Sequence, residues 1–153
     1  MLRLNKLTDY AVVILSRLAK DRNKVYAAAY LAVETRIPLP TVSKILKILS
    51  NSSLICSHRG SNGGYCLGRN PDSIPVTEIV QAFEGPISLS ACVTASTDQC
   101  SIEAFCPIRG NWNKVNEAIK GALENLTLAD LLDPSEPIQR KIKVQPNFIG
   151  LSR

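Results

Sequence analysis

Leu39-Pro40-Thr41-Val42-Ser43-Lys44-Ile45-Leu46-Lys47-Ile48-Leu49 is followed, five residues on, by Leu54-Ile55-Cys56-Ser57-His58-Arg59-Gly60-Ser61-Asn62-Gly63-Gly64-Tyr65-Cys66-Leu67-Gly68. Pro40 suits the first turn of a helix, where a missing N–H has no intrahelical partner to lose. Val42, Ile45, Leu46 and Leu49 stand at offsets 0, 3, 4 and 7, the spacing of one buried helical stripe. Thr41, Ser43, Lys44 and Lys47 are left on the outer face. The second stretch holds two strand-like runs around Gly60–Gly64, which predicts a hairpin with a glycine-rich tip.

Upstream, Leu7, Tyr10, Ala11, Ile14, Leu15 and Leu18 predict an amphipathic helix starting near Thr8. Thr8 serves as its expected N-cap, and Asp9 complements the dipole in the first turn. A shorter helix over Ala27–Thr35 ends before Arg36-Ile37-Pro38, because the residue preceding a proline is pushed out of helical geometry. Two short helices across a tight turn, the second with a small-polar and lysine face, make a helix-turn-helix. A three-helix bundle with a solvated lysine face would show the same stripes. The hairpin directly after the third helix is the feature that turns the reading to a mainly α, winged helix-turn-helix over residues 1–84.

Charge points the same way. Residues 1–70 carry eleven Lys/Arg against three Asp/Glu, and residues 71–153 carry seven against ten. A basic first half fits a polyanionic partner, although charge alone fits a solvated basic face equally well. The expected partner is double-stranded DNA. Thr41, Ser43, Lys44 and Lys47 are then candidates for the major groove, and Arg59, Ser61, Asn62, Gly63, Gly64 and Tyr65 for the adjacent minor groove.

With 153 residues, 45% of them hydrophobic and 20% charged, the chain is not wholly disordered. Tyr10–Leu15, the longest apolar run near the start, is far too short to cross a bilayer. A cytoplasmic protein without membrane contact is expected, with its five cysteines as thiols or metal ligands. A helix over Val76–Phe83 should pack back on the first domain. Residues 85–106 then form a polar loop carrying Cys92, Cys100 and Cys106, spaced Cys-x7-Cys-x5-Cys.

Three grouped cysteines in such a loop suit iron–sulfur or zinc, and the loop is too polar for them to be mere core fillers. No Cys-x2-Cys pair is present, which argues against a zinc ribbon. Cys106 precedes Pro107 and is expected at a helix N-terminus, where the dipole favours thiolate. Cys56 and Cys66, on the wing strands, read as small buried side chains. Ile108, Trp112, Val115, Ile119, Ala122 and Leu126 alternate by four and three, the seam of a long dimerisation helix within residues 107–132. The alternative is packing against the chain's own wing domain. Residues 133–153, with three prolines, four cations and little periodicity, read as a disordered tail.

Leu2-Arg3-Leu4-Asn5-Lys6-Leu7-Thr8-Asp9-Tyr10-Ala11 and Arg59-Gly60-Ser61-Asn62-Gly63-Gly64-Tyr65 resemble the winged-helix regulators of the Rrf-two family. The three-cysteine loop and the helix after it extend the resemblance to residue 132 or so. Members include the Isc and Suf cluster-assembly regulators and a nitric-oxide-responsive repressor. Cys106-Pro107-Ile108-Arg109-Gly110-Asn111-Trp112 and Thr127-Leu128-Ala129-Asp130-Leu131 look most like the Suf branch. The resemblance implies a homodimeric repressor on a palindromic operator, controlling cluster-assembly genes. Its DNA affinity would depend on an iron–sulfur cluster held by Cys92, Cys100 and Cys106.

One departure bears on the fourth ligand. Isc-type regulators have a histidine three positions after the third cysteine; here Arg109 stands there, and a guanidinium cannot ligate a metal. The only histidine, His58, lies on the wing, expected to face DNA or solvent. The nitric-oxide branch takes an acid from the partner subunit's first helix, a position that Asp9 matches. Glu103 is the other oxygen candidate. The choice between these ligands stays open, with 2Fe-2S favoured over 4Fe-4S. The rival readings are a nitric-oxide- or redox-responsive repressor and a cluster-free regulator controlled by a docked protein. A thiol-redox enzyme is a third class, against which the wing and the missing Cys-x2-Cys both speak.

Overall fold

Asn5, not Thr8, caps the first helix. In the computed structural model, which describes residues 3–93, 96, 100–133 and 135, α1 spans Lys6–Ala19. Asn5 Oδ1 accepts from the Leu7 and Thr8 N–H groups at 2.8 and 3.0 Å. Thr8 lies inside the helix and is fully buried. Its hydroxyl donates to Glu84 Oε1 at 2.5 Å, and the Asn5 N–H reaches the same oxygen at 2.9 Å. Two good capping residues stand three apart, and a carboxylate distant in sequence claims the second.

The remaining elements are α2 (Ala28–Thr35), α3 (Leu39–Asn51), β1 (Ile55–His58), β2 (Gly64–Leu67), α4 (Val76–Glu84), α5 (Asn111–Glu124) and α6 (Leu128–Leu132). Short 3₁₀ turns lie at Pro71–Ser73 and Glu103–Phe105. The expected stripes of α1 and α3 form the core: Ala11, Ile14, Leu15 and Leu18 meet Val42, Ile45, Leu46 and Leu49. Leu31, Leu54, Ile55, Leu67, Ile74, Ile79 and Leu128 complete it. Burying each such Leu or Ile contributes roughly 1.5–3 kcal/mol, so these contacts set which faces remain outside. Arg36 ends α2 in the left-handed region (φ 56°), and the buried Ile37 plugs the corner before Pro38.

β1 and β2 pair antiparallel, with Ile55 opposite Leu67, Cys56 opposite Cys66, Ser57 opposite Tyr65 and His58 opposite Gly64. The hairpin is joined to the helices through Tyr26. Its N–H donates to the Tyr65 carbonyl at 2.8 Å, and the Tyr65 N–H donates back at 2.9 Å. Position 64 must be glycine, because a Cβ there would lie 2.5 Å from the Tyr26 carbonyl oxygen. Cys56 is exposed and Cys66 half-buried, contrary to the expectation that both are interior. Alternation along a strand explains it: Ile55 and Leu67 take the inward positions, so their neighbours point out.

The helix expected to open at Pro107 begins instead at Asn111, after Gly110 in the left-handed region (φ 75°). Cys106 is therefore not at a helix N-terminus, and Ile108 and Leu126 fall outside the helix that carries the seam. The buried Asn116 side chain fastens α5 to the preceding segment. Its Oδ1 accepts from the Leu89 N–H at 3.1 Å, and its Nδ2 donates to the Ile87 carbonyl at 2.9 Å. The Val76 N–H donates to Leu126 O, and the Leu128 N–H to Ile74 O, both at 2.8 Å. These bonds seat α6, closed by a Thr127–Asp130 capping box, against the start of α4. Among the described residues no helix is long and apolar enough to cross a membrane. Apart from Asp133 and Ser135, the segment expected to be a disordered tail lies outside the described residues.

Donation from Thr8 and Asn5 holds the Glu84 carboxyl below the usual carboxylate range. A depressed folded pKa contributes stability above the unfolded value near 4.3, which is lost as pH falls through the folded value. Thr8→Val should therefore lower stability by about 1 kcal/mol at neutral pH. The gap to wild type should narrow as Glu84 protonates. Urea unfolding at neutral and acid pH checks this, and a pH-independent gap would assign Thr8 a packing role only.

Candidate functional site

On α3, Ser43, Lys44 and Lys47 are exposed and Thr41 is half-buried, on the side away from Val42, Ile45, Leu46 and Leu49. The outer face is thus set by the inner one. On the wing, Arg59, Gly60, Ser61 and Asn62 are exposed, whereas Gly63, Gly64 and Tyr65 are half-buried. Tyr65 packs on the core and its backbone is taken by Tyr26, so this end of the predicted groove-facing run also serves the fold.

Neighbouring cations differ in whether their charge is answered. Arg17 pairs with Glu34 at 2.6 Å and Arg69 pairs with Glu78. The Lys24 ammonium sits 5.3 and 5.6 Å from the centres of the Tyr26 and Tyr30 rings, which themselves stack. The Tyr30 hydroxyl, accepting from Arg17, raises that guanidinium's pKa further, with Glu34 adding to the effect. Among the described residues no ion pair includes Lys44, Lys47 or Arg59. Unpaired cations on a helix face and a wing loop are the electrostatic footprint that phosphate requires.

All three loop cysteines are half-buried thiols. Cys92 Sγ lies 2.9 Å from Ser90 Oγ. It opens on a cleft of about 310 Å³ whose wall includes Glu103, Arg109 and Asn113. Arg109 Nε donates to Glu103 Oε1 at 3.1 Å. Successive turns link the other two cysteines, since the Glu103 N–H reaches Cys100 O at 3.1 Å and the Cys106 N–H reaches Glu103 O at 3.3 Å. In kind, three unbridged thiols and a carboxylate are donors that suit an iron–sulfur cluster. In position, the chain alone brings Cys92 and Glu103 to one cleft. Among the described residues no three of His, Cys, Asp and Glu converge on a metal position.

Asp9 is exposed in the first turn of α1, next to the Thr8–Glu84 contact at which segment 85–106 departs. Two residues that matter here had no signal in the sequence. Tyr26 lies outside any periodic run, and Asn116 looks like one more polar residue of α5. Only partners distant in the chain reveal either.

Comparison with known proteins places this arrangement. Residues 4–134 match the Rrf2 family, described as iron-dependent transcriptional regulators. The HTH-type transcriptional regulator NsrR of Halalkalibacterium halodurans is 27% identical over 146 residues, which span 95% of this chain and all of that protein. Among solved structures, CymR (YrzC), the global cysteine regulator of B. subtilis, superposes with a TM-score of 0.63 at 26% identity. That likeness covers 86% of this chain and 97% of CymR. IscR of T. potens superposes with a TM-score of 0.62 at 26% identity, over 88% of this chain and 89% of IscR. The family match runs from before α1 through α6, and with its winged-helix fold the chain belongs to the Rrf2 family of DNA-binding transcriptional regulators.

Proposed function

We propose that this regulator is a homodimeric repressor of iron–sulfur assembly genes, acting on a palindromic operator and sensing a cluster on Cys92, Cys100 and Cys106. The observation that carries the DNA half is the set of unneutralised cations at Lys44, Lys47 and Arg59. In this reading Thr41, Ser43, Lys44 and Lys47 enter or flank the major groove. Arg59, Ser61 and Asn62 present side chains to the adjacent minor groove, while Gly63, Gly64 and Tyr65 bring backbone close to it.

The dimer reading is supported by α5 and the residues just before it. Ile108, Trp112 and Val115 are 51, 43 and 43% exposed, and an apolar row of this kind is costly to leave in water. A second copy related by a two-fold axis covers it most simply. Asn116 then has a part in signalling. It ties Ile87 and Leu89, just before Cys92, to the helix that carries the seam. A change in loop shape is passed to the dimer helix, and so to the spacing of the two wings.

A bound cluster would supply an iron centre open to oxidants. Cys92, Cys100 and Cys106 would hold it, with Glu103 or the partner subunit's Asp9 as an oxygen ligand. Glu103 shares the Cys92 cleft, and Arg109 holds its carboxylate. Being harder than thiolate, a carboxylate ligand leaves such a site easier to open. That the three thiols do not converge on one metal position among the described residues supports a second reading, a cluster-free regulator controlled by a docked protein.

Three measurements test these parts. Arg59→Ala should weaken operator binding by about 1–3 kcal/mol and flatten sequence preference, whereas Lys44→Ala or Lys47→Ala should weaken all duplexes evenly and lower the salt slope by about one. Equal losses on operator and random DNA in Arg59→Ala would remove groove reading from the wing. Val115→Asp should give folded monomers that lose operator binding, as sedimentation and circular dichroism together would show; a dimeric variant would place the interface elsewhere. Protein prepared anaerobically with iron should absorb in the visible, and Cys92→Ala, Cys100→Ala and Cys106→Ala should each abolish that absorbance. Colourless wild-type protein that still binds operator DNA would establish the cluster-free reading instead.

A further inference from the structure

The wing carries a second group of thiols, remote in sequence from the loop cysteines. Cys56 and Cys66 are direct cross-strand partners. Tyr65 turns its N–H and C=O to Tyr26, and the Gly68 N–H reaches the Leu54 carbonyl at 3.1 Å. With these phases fixed, the 56/66 pair is one whose backbone groups point at each other, with Cα atoms about 5.5 Å apart. That separation lies within the span of a disulfide. Both side chains share the outward face with His58, whose Nε2 is 3.3 Å from Cys66 Sγ. Cys56 is exposed and Cys66 half-buried.

We propose that Cys56 and Cys66, with His58 as their proton acceptor, form a reversible thiol-oxidation site on the wing that exchanges with low-molecular-weight disulfides. The Cys56 thiolate attacks one sulfur of an external disulfide RSSR. The S–S bond breaks, a mixed disulfide forms on Cys56, and RS⁻ leaves to take a proton from solvent. Cys66 then gives its proton to His58 Nε2, in the tautomer that leaves this nitrogen bare, and attacks the Cys56 sulfur. The second RS⁻ departs and collects the proton. The pair loses two electrons and two protons, and RSSR becomes two RSH.

The order of the steps follows from the surroundings. Burial and the neighbouring Cys56 thiol both push the Cys66 thiol up, so the first attack falls to Cys56. It is also the more open to an incoming disulfide. Cys66, half-buried beside a base, suits the resolving role. Opposed Cβ atoms in a sheet lie about 4.5–5.5 Å apart and those of a disulfide about 3.5–4.5 Å, so closure draws the strands together at the root of the loop carrying Arg59.

The test needs neither operator nor cluster, so it stands apart from the function proposed above. Full-length protein is equilibrated in glutathione buffers of rising oxidised fraction, acid-quenched, alkylated and digested with trypsin. Cleavage after Lys47, Arg59 and Arg69 places the two cysteines on separate peptides, 48–59 and 60–69. The expected product is these two peptides joined by a disulfide that dithiothreitol releases. Cys66→Ser should instead accumulate glutathione on Cys56. His58→Gln should leave the first step unchanged and slow closure by roughly tenfold or more. Wild-type protein whose peptides stay separate in fully oxidised buffer, or that stops at the mixed disulfide, would overturn the proposal. Unchanged closure in His58→Gln would overturn the part given to His58.

Discussion

Two backbone hydrogen bonds between Tyr26 and Tyr65 hold the wing to the helical domain. A two-stranded hairpin is marginal by itself, and this third pairing with a residue just before α2 gives it an anchor in the core. The pairing requires glycine at position 64, where any side chain would meet the Tyr26 carbonyl. It also sets the phase of both strands. Ile55 and Leu67 go into the core, Cys56 and Cys66 go out, and the loop from Arg59 to Asn62 is carried beyond the sheet. The properties of the wing thus descend from one contact that has no side-chain specificity of its own.

The same logic, a polar group fixed by a partner distant in sequence, recurs at the other end of the molecule. Glu84 closes α4 onto the start of α1, and Asn116 closes the segment after α4 onto α5. Each includes a half-buried hydrogen bond, which is costly to leave half made and therefore specifies one arrangement. Between these two fastenings runs the segment that carries the three cysteines. Its ends are held, while its described residues around Cys92 and from Cys100 to Cys106 are built from turns.

Where the sequence was legible, hydrophobic periodicity did the work. The stripes of α1 and α3 and the paired runs of the hairpin are local patterns, and burial of their apolar faces outweighs other terms. Where it was not, two locally equivalent choices were decided from afar. Asn5 and Thr8 are both good caps, and Glu84 selects between them. Pro107 is a good helix start, but Gly110 takes the left-handed conformation and the helix waits for Asn111. Cys56 and Cys66 have the composition of buried strand residues, yet only one face of a short hairpin meets the core. The three loop cysteines are plain in the sequence as residues, but their spacing does not give the backbone geometry that brings Cys92 and Glu103 to one cleft.

The charge asymmetry between the two halves of the chain also changes meaning once partners are known. The first half's excess already counts Glu34, the partner of Arg17; only Arg69 is answered from outside it, by Glu78 of the acidic half. Lys24 is held over two tyrosine rings. That pairing lowers the first half's excess by one charge only, and salt screens the remaining field within about 8–10 Å. Among the described residues no ion pair includes Lys44 and Lys47 on α3, Arg59 on the wing, or Arg3, Lys6, Lys20, Arg22 and Arg36 elsewhere in the first half. A winged helix reads DNA through its recognition helix and its wing, so in the function proposed above Lys44, Lys47 and Arg59 count by their position and not as the sole unpaired cations.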